Sequence, residues 1–470
     1  MTPDPLDGKT VVILGFARQG QALARWLPTV GAKVIVSDKR DFGDLADALL
    51  DFLTSDIQFA LGGHPIELLD EADLLCLSGG VPPTLPICIA ATERGIPLTN
   101  DAQLFMERCP APIIGITGSA GKTTTTTLVG QMCAATGQTT WVGGNNGDVL
   151  LDNLPNIDAA HLVVMELSSF QLELMTRNPH IACILNVTPN HLDRHGSMEA
   201  YMAAKANIFM HQKADDICIF GSDDPAANLL ADQAAGRVAW FSMREMVSDG
   251  AFLAGNRLMV VGMGSPDGQP HVVCGRDDIR LRGDHNVENV LAACAIAGAA
   301  GVSVDKMRDV IKNFTGVPHR LEPVRTIDGV TYVNDSIATA PERVLAALRS
   351  FDEPIVLLAG GRDKKLPWGE MATVTSQRVR YLVTFGEHGP VIAEQVRAAR
   401  LLGGRLEGID TYATLEEAVK RAAEVAQSGD IVLLSPGGTS YDAFEDFEAR
   451  GERFRELVAA LEERDRGSQR

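Results

Sequence analysis

Residues 113–128, IIGITGSAGKTTTTTL, constrain the fold of this chain more than any other stretch. An apolar run breaks into glycines, a lysine and threonines, which predicts a strand, a phosphate-binding loop and the start of a helix. Gly118 and Gly121 lack side chains that would keep backbone N–H groups from an anion, and Lys122 adds positive charge. The helix directs its positive end at the same point. The stretch predicts a nucleoside triphosphate site.

The remaining loop residues refine this prediction. Ser119 and Ala120 stand between the glycines, and Thr123 and Thr124 follow the lysine. The Thr123 hydroxyl is of the type that binds Mg²⁺ beside the phosphates. The general pattern has a further glycine where this chain has Ile116, which leaves the tighter G-x-x-G-K-T. A Gly-rich turn that only joins a strand to a helix is the alternative, and the Gly-Lys-Thr triplet favours ATP binding.

Length and charge narrow the class of protein. A chain of 470 residues with 45% apolar residues predicts two to four domains, each with its own core. The net charge of −19 and a pI near 5.0 argue against binding to nucleic acid or a membrane surface, since both need basic patches. An anionic substrate must therefore be held by local cations.

The cysteines and apolar segments indicate the compartment. Eight cysteines stand singly, mostly in apolar contexts and without a C-x-x-C pair, as expected of reduced core residues in a cytosolic protein. The N-terminal sequence MTPDPLDGK lacks a secretory pattern, and the apolar helix predicted over residues 290–300 is too short to span a bilayer. We expect a cytoplasmic protein without membrane insertion.

The first segment begins like a Rossmann fold. A strand over residues 10–14, the turn GFARQG, an amphipathic helix and a strand ending at Asp38 follow in order. Ala17 stands where the dinucleotide fingerprint has its middle glycine, which leaves a choice between an NAD site and the same turn reused for another nucleotide. Asp38 and Arg40 could hydrogen-bond a ribose or base, or be solvated charges at a strand end.

The central segment carries polar residues after its strands. Glu166 ends a strand predicted over residues 162–165, a position suited to Mg²⁺. His191 and His195 have a spacing compatible with zinc but no third ligand nearby. Lys205 lies on a helix predicted over residues 198–210, where a solvated charge is the ordinary interpretation. Asn289, in the DHNVEN sequence, could be a helix cap or a ligand contact.

The last segment repeats the alternation of strands and helices, which predicts a second Rossmann-like unit. Its strand ends carry glycines, hydroxyls and cations in NDSIAT, GGRDKK and SPGGTS, which together indicate an anion pocket. We therefore predict an α/β fold of three domains. These are a Rossmann-like domain over residues 1–108, a P-loop ATPase-like domain over 109–316 and a Rossmann-like domain over 317–470.

Taken in order, the motifs resemble those of the Mur ligase family, from about residue 10 to residue 461. The motifs that carry the resemblance are GITGSAGKTTT, GGNNG, ELSSFQLE, NVTPNHLDRH, YMAAK, DHNVEN, PHRLE, NDSIAT and SPGGTSYDAFEDF. The resemblance implies an ATP-dependent ligase that phosphorylates the carboxylate of UDP-N-acetylmuramoyl-L-alanine. The amine of glutamate, expected in its D form, then attacks the acyl phosphate to give an amide in peptidoglycan precursor synthesis.

The resemblance also implies a set of roles, with Lys122, His191 and Lys205 as the catalytic residues. ATP would be bound by Gly118, Ser119, Ala120, Gly121, Lys122, Thr123, Thr124, Asn289, Arg320 and Asp335. Two Mg²⁺ ions would be held by Thr123, Glu166, His191 and a carbamylated Lys205. The UDP-substrate would be bound by Arg18, Gln19, Asp38, Lys39, Asn145 and Gln171, and glutamate by Thr339, Lys364, Ser440 and Phe447. Only small-molecule partners and a monomer are implied.

The chain departs from the family pattern at Ala17, at Gly79, and at Ile337 and Ala340, where a lysine and an asparagine are usual. Three other functions stay open. A folylpolyglutamate synthase-like ligase would share the loop but lacks the nucleotide-binding first domain. A P-loop regulatory protein would not need Glu166, His191 and Lys205, and a nicotinamide oxidoreductase would not explain Lys122.

Overall fold

The computed structural model describes residues 3–145, 149–281, 283–363, 366–400 and 404–462. The chain divides into two compact units, Met1–Phe314 and Thr315–Arg470. The first unit contains a five-stranded and a nine-stranded sheet, and the second contains a six-stranded sheet. Helices alternate with parallel strands in all three, as the repeating pattern of the sequence predicts.

The N-terminal sheet has the strand order β3-β2-β1-β4-β5, with all pairs parallel. After the half-buried Thr10, its central strand is apolar and buried on both faces, as parallel strands between helices are. The strands are β1 Thr10–Leu14, β2 Lys33–Asp38, β3 Ile57–Leu61, β4 Leu74–Leu77 and β5 Leu98–Thr99. The helices are α1 Arg18–Trp26, α2 Phe42–Leu49, α3 Pro86–Glu93 and α4 Asp101–Arg108.

The central sheet has the order β14-β13-β12-β11-β10-β9-β6-β8-β7, in which the last three strands of the sequence pair antiparallel as a meander. Its strands are β6 Ile113–Thr117, β7 Thr140–Gly144, β8 Leu162–Glu166, β9 Ile181–Ile184, β10 Ile217–Gly221, β11 Arg237–Ser242, β12 Gly250–Ala254, β13 Arg257–Val261 and β14 His271–Gly275. Its helices are α5 Lys122–Ala134, α6 Leu150–Asn153, α7 Ser169–Leu172, α8 Leu192–His195, α9 Met198–Ala206, α10 Pro225–Ala231, α11 Asp284–Ala299 and α12 Val304–Asn313.

The second unit has the sheet order β15-β16-β20-β17-β18-β19, with only the β15–β16 pair antiparallel. Its strands are β15 Glu322–Ile327, β16 Val330–Asn334, β17 Ile355–Gly360, β18 Val379–Phe385, β19 Gly408–Thr411 and β20 Ile431–Gly437. Its helices are α13 Pro341–Arg349, α14 Gly369–Arg378, α15 Gly389–Ala398, α16 Leu415–Val425 and α17 Phe447–Ala459. The second Rossmann-like unit is thus confirmed as a mostly parallel, helix-covered sheet.

One predicted boundary is wrong. The helix expected over residues 198–210 ends at Ala206, after which the chain continues in turns. The side chain of Asn178 donates to the carbonyl oxygen of Asn207 at 2.5 Å, and Asn207 itself donates to the carbonyl of Leu172. These bonds hold Asn207 against the segment 172–178, and such local side-chain bonds compete with continuation of a helix.

The eight cysteines are all free, and seven of them are buried, in agreement with the sequence prediction of reduced core residues. Burial raises the pKa of these thiols, to about 11 at Cys88, for example. Within the described residues, no helix combines the length and the apolar character that crossing a bilayer demands.

Candidate active site

The candidate active site lies where three neighbouring strands of the central sheet, β6, β8 and β9, end. In the registers of β6 with β8 and β9, Ile116 lies opposite Glu166 and Thr117 opposite Ile184. The loops that follow these strands therefore leave the same edge of the sheet. Ligands bind at this carboxyl edge in open α/β folds. The phosphate loop, Glu166 and the 186–195 segment are brought together in this way.

The phosphate loop needs glycine at its last position. Gly121 adopts a left-handed conformation with φ +82°, and a Cβ there would stand 2.2 Å from Oδ1 of Asn289. Asn289 is 7% exposed and lies on α11, and its amide donates to Asn286 at 3.1 Å. The structure thus places Asn289 against the loop, as a ligand contact requires. Thr123 and Thr124 lie half-buried in the first turn of α5.

A residue that sequence reasoning missed anchors this loop. The backbone N–H of Ala120 donates to Oδ1 of Asn186 at 2.9 Å, and that of Ser119 donates to the Asn186 carbonyl at 2.9 Å. The hydroxyl of Ser119 lies 3.0 Å from that of Tyr201. Asn186 begins the NVTPNHLDRH motif, but nothing in that motif shows that the asparagine reaches a loop 66 residues away.

Lys122 and Lys205 occupy the inner side of the loop. Their ammonium groups each donate to the carbonyl oxygen of Gly118 at 2.9 Å, and Lys205 also contacts the hydroxyl of Thr117 at 3.4 Å. Lys205 is 1% exposed. Its burial, together with the charge of Lys122, lowers the pKa of the Lys205 amine well below its usual value. The interpretation of Lys205 as a solvated helix charge is therefore wrong.

Glu166 carries an unsatisfied oxygen. It is 3% exposed, and its Oε1 accepts from the amide of Asn145 at 3.0 Å. Its Oε2 is buried and has no hydrogen-bond partner among the described residues. A buried carboxylate oxygen is costly unless a donor or a cation satisfies it. The position thus fits a magnesium ligand.

The two histidines have different surroundings. His191 is the N-cap residue before α8 and adopts a left-handed conformation with φ +52°. It is exposed, and its ring centroid lies 5.0 Å from that of Phe170. His195 stacks on the same phenylalanine, and its Nε2 lies 3.0 Å from the hydroxyl of Ser169. In the described part of the chain, no three His, Cys, Asp or Glu side chains cluster to hold a metal ion. Mg²⁺, which usually takes one or two carboxylates plus phosphates, suits such a sparse site.

Residues of the N-terminal sheet reach the central sheet inside the first unit. The guanidinium of Arg18 donates to the carbonyl of Asn145 at 3.3 Å. The side chain of Gln171 is 1% exposed and accepts from the hydroxyl of Ser168 at 3.1 Å. Arg18 is therefore linked through Asn145 to Glu166, and Gln171 lies on the short helix α7 that follows the strand of Glu166.

Asp38 is not a solvated charge, because it is 3% exposed. Its carboxylate accepts from the N–H of Phe16 at 2.7 Å and from the guanidinium of Arg40 at 2.8 Å. Burial would raise its pKa, but these hydrogen bonds outweigh burial and hold the pKa at about 2. Asp38 thus fixes the first Gly-rich turn. Gln19 accepts from the N–H of Gly79 at 2.7 Å, and Lys39 is exposed.

The second unit gathers its predicted residues at the carboxyl edge of its own sheet. Asp335 follows β16, Ser440 follows β20, and Phe447 begins α17. Burial raises the pKa of Asp335 to about 7, although Ser435 donates to it at 2.9 Å and the charge of Arg320 opposes the shift. Thr339 is half-buried in the loop after Asp335. Lys364 lies outside the described residues.

Family models match three consecutive parts of the chain. They describe a Mur ligase MurD-like N-terminal domain over residues 9–100, a Mur ligase middle domain over residues 116–297 and a Mur ligase glutamate ligase domain over residues 319–438. These ranges correspond to the three sheets, and they confirm the predicted three-domain α/β organisation.

Solved structures agree on the fold. The UDP-N-acetylmuramate-alanine ligase MurC of Thermotoga maritima has a TM-score of 0.54 at 19% identity, covering 96% of this chain and 99% of that one. MurF of Acinetobacter baumannii has a TM-score of 0.53 at 17% identity, covering 97% and 91%. At such identities the likeness concerns the fold alone.

Curated relatives are much closer in sequence. The UDP-N-acetylmuramoylalanine–D-glutamate ligase of Symbiobacterium thermophilum is 42% identical over 96% of this chain and 97% of its own length. The protein of the same name from Acetivibrio thermocellus is 40% identical over 97% of each chain. With this identity over nearly the whole of both sequences, and with the three domains in order, the chain belongs to the Mur ligase family.

Proposed function

We propose that this protein is an ATP-dependent ligase that joins D-glutamate to the alanyl carboxylate of UDP-N-acetylmuramoyl-L-alanine, a step of peptidoglycan precursor synthesis. The observation that carries the proposal is the pair of the partly exposed Lys122 and the buried Lys205 on one carbonyl of the phosphate loop, at the sheet edge where Glu166 presents an unsatisfied oxygen. The names of the relatives at 42% and 40% identity supply the acceptor and the amino acid.

The phosphates of ATP are assigned to residues 118–124. The N-terminal end of α5 provides backbone N–H groups and a positive dipole, and Lys122 provides a full charge next to them. Asn289 stands close enough to Gly121 to contact the nucleotide on this side. In the second unit, Arg320 and Asp335 are assigned to the nucleotide as well.

Mg²⁺ is assigned to Thr123, Glu166, His191 and Lys205. When bound, the metal would neutralise the phosphate oxygens and the incoming carboxylate, which otherwise repel each other. The described residues fit such an ion because Glu166 presents a buried oxygen without a donor. We assign two ions, since two anionic groups must be brought together.

Lys205 is assigned as a carbamate. Only a neutral amine can attack CO₂, and burial favours the neutral form of Lys205 at ordinary pH. A bond forms between Nζ and the carbon of CO₂, and the amine loses a proton to water. The product carries an anionic oxygen pair of the kind that Mg²⁺ prefers. It also replaces a like-charge contact with Lys122 by an opposite-charge one.

The UDP-substrate is assigned to residues of the first unit, namely Arg18, Gln19, Asp38, Lys39, Asn145 and Gln171. Arg18 bonds to the carbonyl of Asn145, whose side chain bonds to Glu166. Asp38 shapes the turn through Phe16. Gln171 is 1% exposed and its side chain accepts from the Ser168 hydroxyl. Glutamate is assigned to Thr339, Lys364, Ser440 and Phe447 in the second unit.

The test measures phosphate release with ATP, Mg²⁺, UDP-N-acetylmuramoyl-L-alanine and D-glutamate, each omitted in turn. We expect release only when all are present, together with formation of the glutamyl product by mass spectrometry. A folate acceptor in place of the UDP-substrate tests the folylpolyglutamate synthase-like alternative. Phosphate release that does not depend on the acceptor or the amino acid would contradict the ligase activity and favour a regulatory ATPase.

A further inference from the structure

Arg450 is a fully buried cation in the second unit. It lies in α17, its side chain is 0% exposed, and no carboxylate among the described residues forms an ion pair with it. Arg380, another buried arginine of this unit, pairs with both Asp430 and Glu407. A buried charge without a paired counter-ion costs free energy, so its retention calls for an explanation.

The guanidinium of Arg450 binds neutral acceptors on two different loops. Its Nε donates to the hydroxyl of Ser336 at 2.9 Å, and one terminal nitrogen donates to the Ser336 carbonyl at 2.8 Å. The other terminal nitrogen donates to the carbonyl of Gly438 at 3.2 Å. Ser336 follows β16 and Gly438 follows β20, and these strands are neighbours in the sheet.

A third loop packs against the same group. A Cβ at Gly361 would stand 3.0 Å from a terminal nitrogen of Arg450, so the loop after β17 approaches the guanidinium closely. This loop pairs with the one after β20, because Arg362 and Thr439 exchange backbone hydrogen bonds of 2.9 Å. Arg450 is therefore the point at which three strand-end loops converge.

Each of these loops carries a residue assigned to glutamate. Thr339 lies three positions after Ser336, Ser440 two after Gly438, and Lys364 three after Gly361. The hydroxyl of Ser336 also donates to the carbonyl of Phe447 at 2.8 Å, so the start of α17 is tied to the same network. An arginine stays charged at neutral pH. It therefore adds positive potential beneath a site that must receive a dicarboxylate.

We propose that Arg450 is a positioning residue of the amino-acid site, which sets the mutual arrangement of the three loops and supplies positive potential for an anionic amino acid. This inference rests on the proposed function. Burial lowers the pKa of Arg450 to about 10, partly offset by the Asp442 carboxylate, and the guanidinium remains protonated at pH 7. Its rigid planar fork fixes the geometry between acceptors on two loops, whereas the flexible side chain of a lysine does not.

The test compares Arg450→Met, Arg450→Lys and the control Arg453→Met, whose arginine is 42% exposed on the same helix. For Arg450→Met we expect the KM for D-glutamate to rise about 10-fold or more while the KM for ATP changes less than about 3-fold. Arg450→Lys should recover part of the glutamate KM because it keeps the charge, and Arg453→Met should match the wild type.

Ser336→Ala tests the same network if the Arg450 variants do not fold, because it removes only the hydroxyl that links Arg450 to Phe447. It should raise the glutamate KM in the same direction with a smaller effect. Equal changes in both KM values, or a loss of kcat alone, in a folded variant would overturn the positioning role. If the wild-type enzyme turns over D-glutamate and Arg450→Met has the same KM for D-glutamate, the positioning role of Arg450 is wrong and the proposed function stands. If the wild-type enzyme shows no glutamate-dependent turnover, both the proposed function and the role of Arg450 are wrong.

Discussion

Lys122 and Lys205 donate to a single acceptor, the carbonyl oxygen of Gly118, each from 2.9 Å. Two ammonium groups on one oxygen repel each other, and the buried one is easier to neutralise because burial already disfavours its charge. The partly exposed Lys122 thus remains the cation of the phosphate loop. The two lysines are chemically different groups although they share a partner, and the first two predictions separate them.

Lys122→Ala is expected to lower kcat by about 10³-fold or more, because a cation aimed at the transferring phosphate is lost. The fold should persist, since the α5 backbone and the Asn186 anchor remain. Phosphate release and circular dichroism measure the two effects. Lys306→Ala, which removes an exposed lysine from α12, is the matched control and should leave the rate unchanged. A near-normal rate in folded Lys122→Ala would remove the phosphate-loop assignment.

Lys205→Met should abolish turnover and raise the melting temperature in CO₂-free buffer. The folded pKa of Lys205 lies well below its unfolded value, so at pH values between the two the unfolded state binds more protons, and the stability of the wild type grows as pH rises toward 10.5. Methionine removes the free-energy cost of burying or deprotonating the Lys205 ammonium, and the Gly118 carbonyl keeps its hydrogen bond from Lys122. The stability gain should shrink between pH 7 and pH 9 in thermal scans.

The control for this experiment is Lys213→Met, since Lys213 is an exposed lysine of the same unit. This control variant should show neither the gain in melting temperature nor the loss of turnover. If Lys205 acts as a carbamate, short carboxylic acids should restore some activity to Lys205→Ala, and bicarbonate should activate the wild type after CO₂ removal. Full activity of the wild type in carefully CO₂-free buffer would argue against the carbamate.

Glu166→Gln tests the metal assignment. Glutamine keeps the size and can still accept from Asn145, but its amide nitrogen cannot bind a cation. We expect a rise of about 10-fold or more in the Mg²⁺ concentration needed for half-maximal rate, in the range typical of changes at metal sites. The ATP KM at saturating Mg²⁺ should change much less. Titration of the rate with Mg²⁺ measures this, and an unchanged metal requirement would remove Glu166 from the site.

Asp335→Asn tests the buried carboxyl of the second unit. The folded pKa of about 7 lies above the unfolded value of 3.8, so the stability contributed by Asp335 is present below pH 4 and is lost as pH rises to 7. Over this window the loss amounts to about 4 kcal/mol at most, at roughly 1.4 kcal/mol per pKa unit. The stability of the variant relative to the wild type should therefore improve from pH 4 to pH 8. Asp352→Asn, an exposed change in the same unit, should show no such trend in urea unfolding.

Much of the fold was predictable because the information is local. The phosphate loop, its strand and its helix follow from one stretch of sequence, and Glu166 follows from parallel strands that end at one edge. The strands β3, β5, β7, β15 and β19 were not predicted. They are two to six residues long, and several are only partly buried, which leaves a weak apolar pattern.

The unpredicted parts of the site depend on contacts between distant residues. Asn186 anchors a loop 66 residues away, and Arg450 bonds to Ser336 across 114 residues. The prediction that Asp38 is either a ligand or a solvated charge missed its third role, because only the fold shows that the Phe16 N–H donates to it. Local sequence patterns identify reactive groups better than the residues that hold them in place.

We expect the second unit to select the amino acid, and there Ile337 stands in place of the family's usual lysine. Glutamate brings two carboxylates, and each must find donors or cations when it leaves water. With one lysine absent, we expect the carboxylates of glutamate to be bound by Lys364, by the neighbouring Lys365 or Arg362, and by the hydroxyls of Ser440 and Thr339. We expect D-glutamate to be preferred over L-glutamate, as in the names of the relatives, because the two forms place the α-carboxylate differently once the amine is fixed. Lys364→Ala should raise the D-glutamate KM by about 10-fold or more and the ATP KM far less. Steady-state kinetics with both enantiomers measures this: parallel changes in the two KM values would exclude Lys364 from the amino-acid site, and a preference for L-glutamate would reverse the stereochemical assignment.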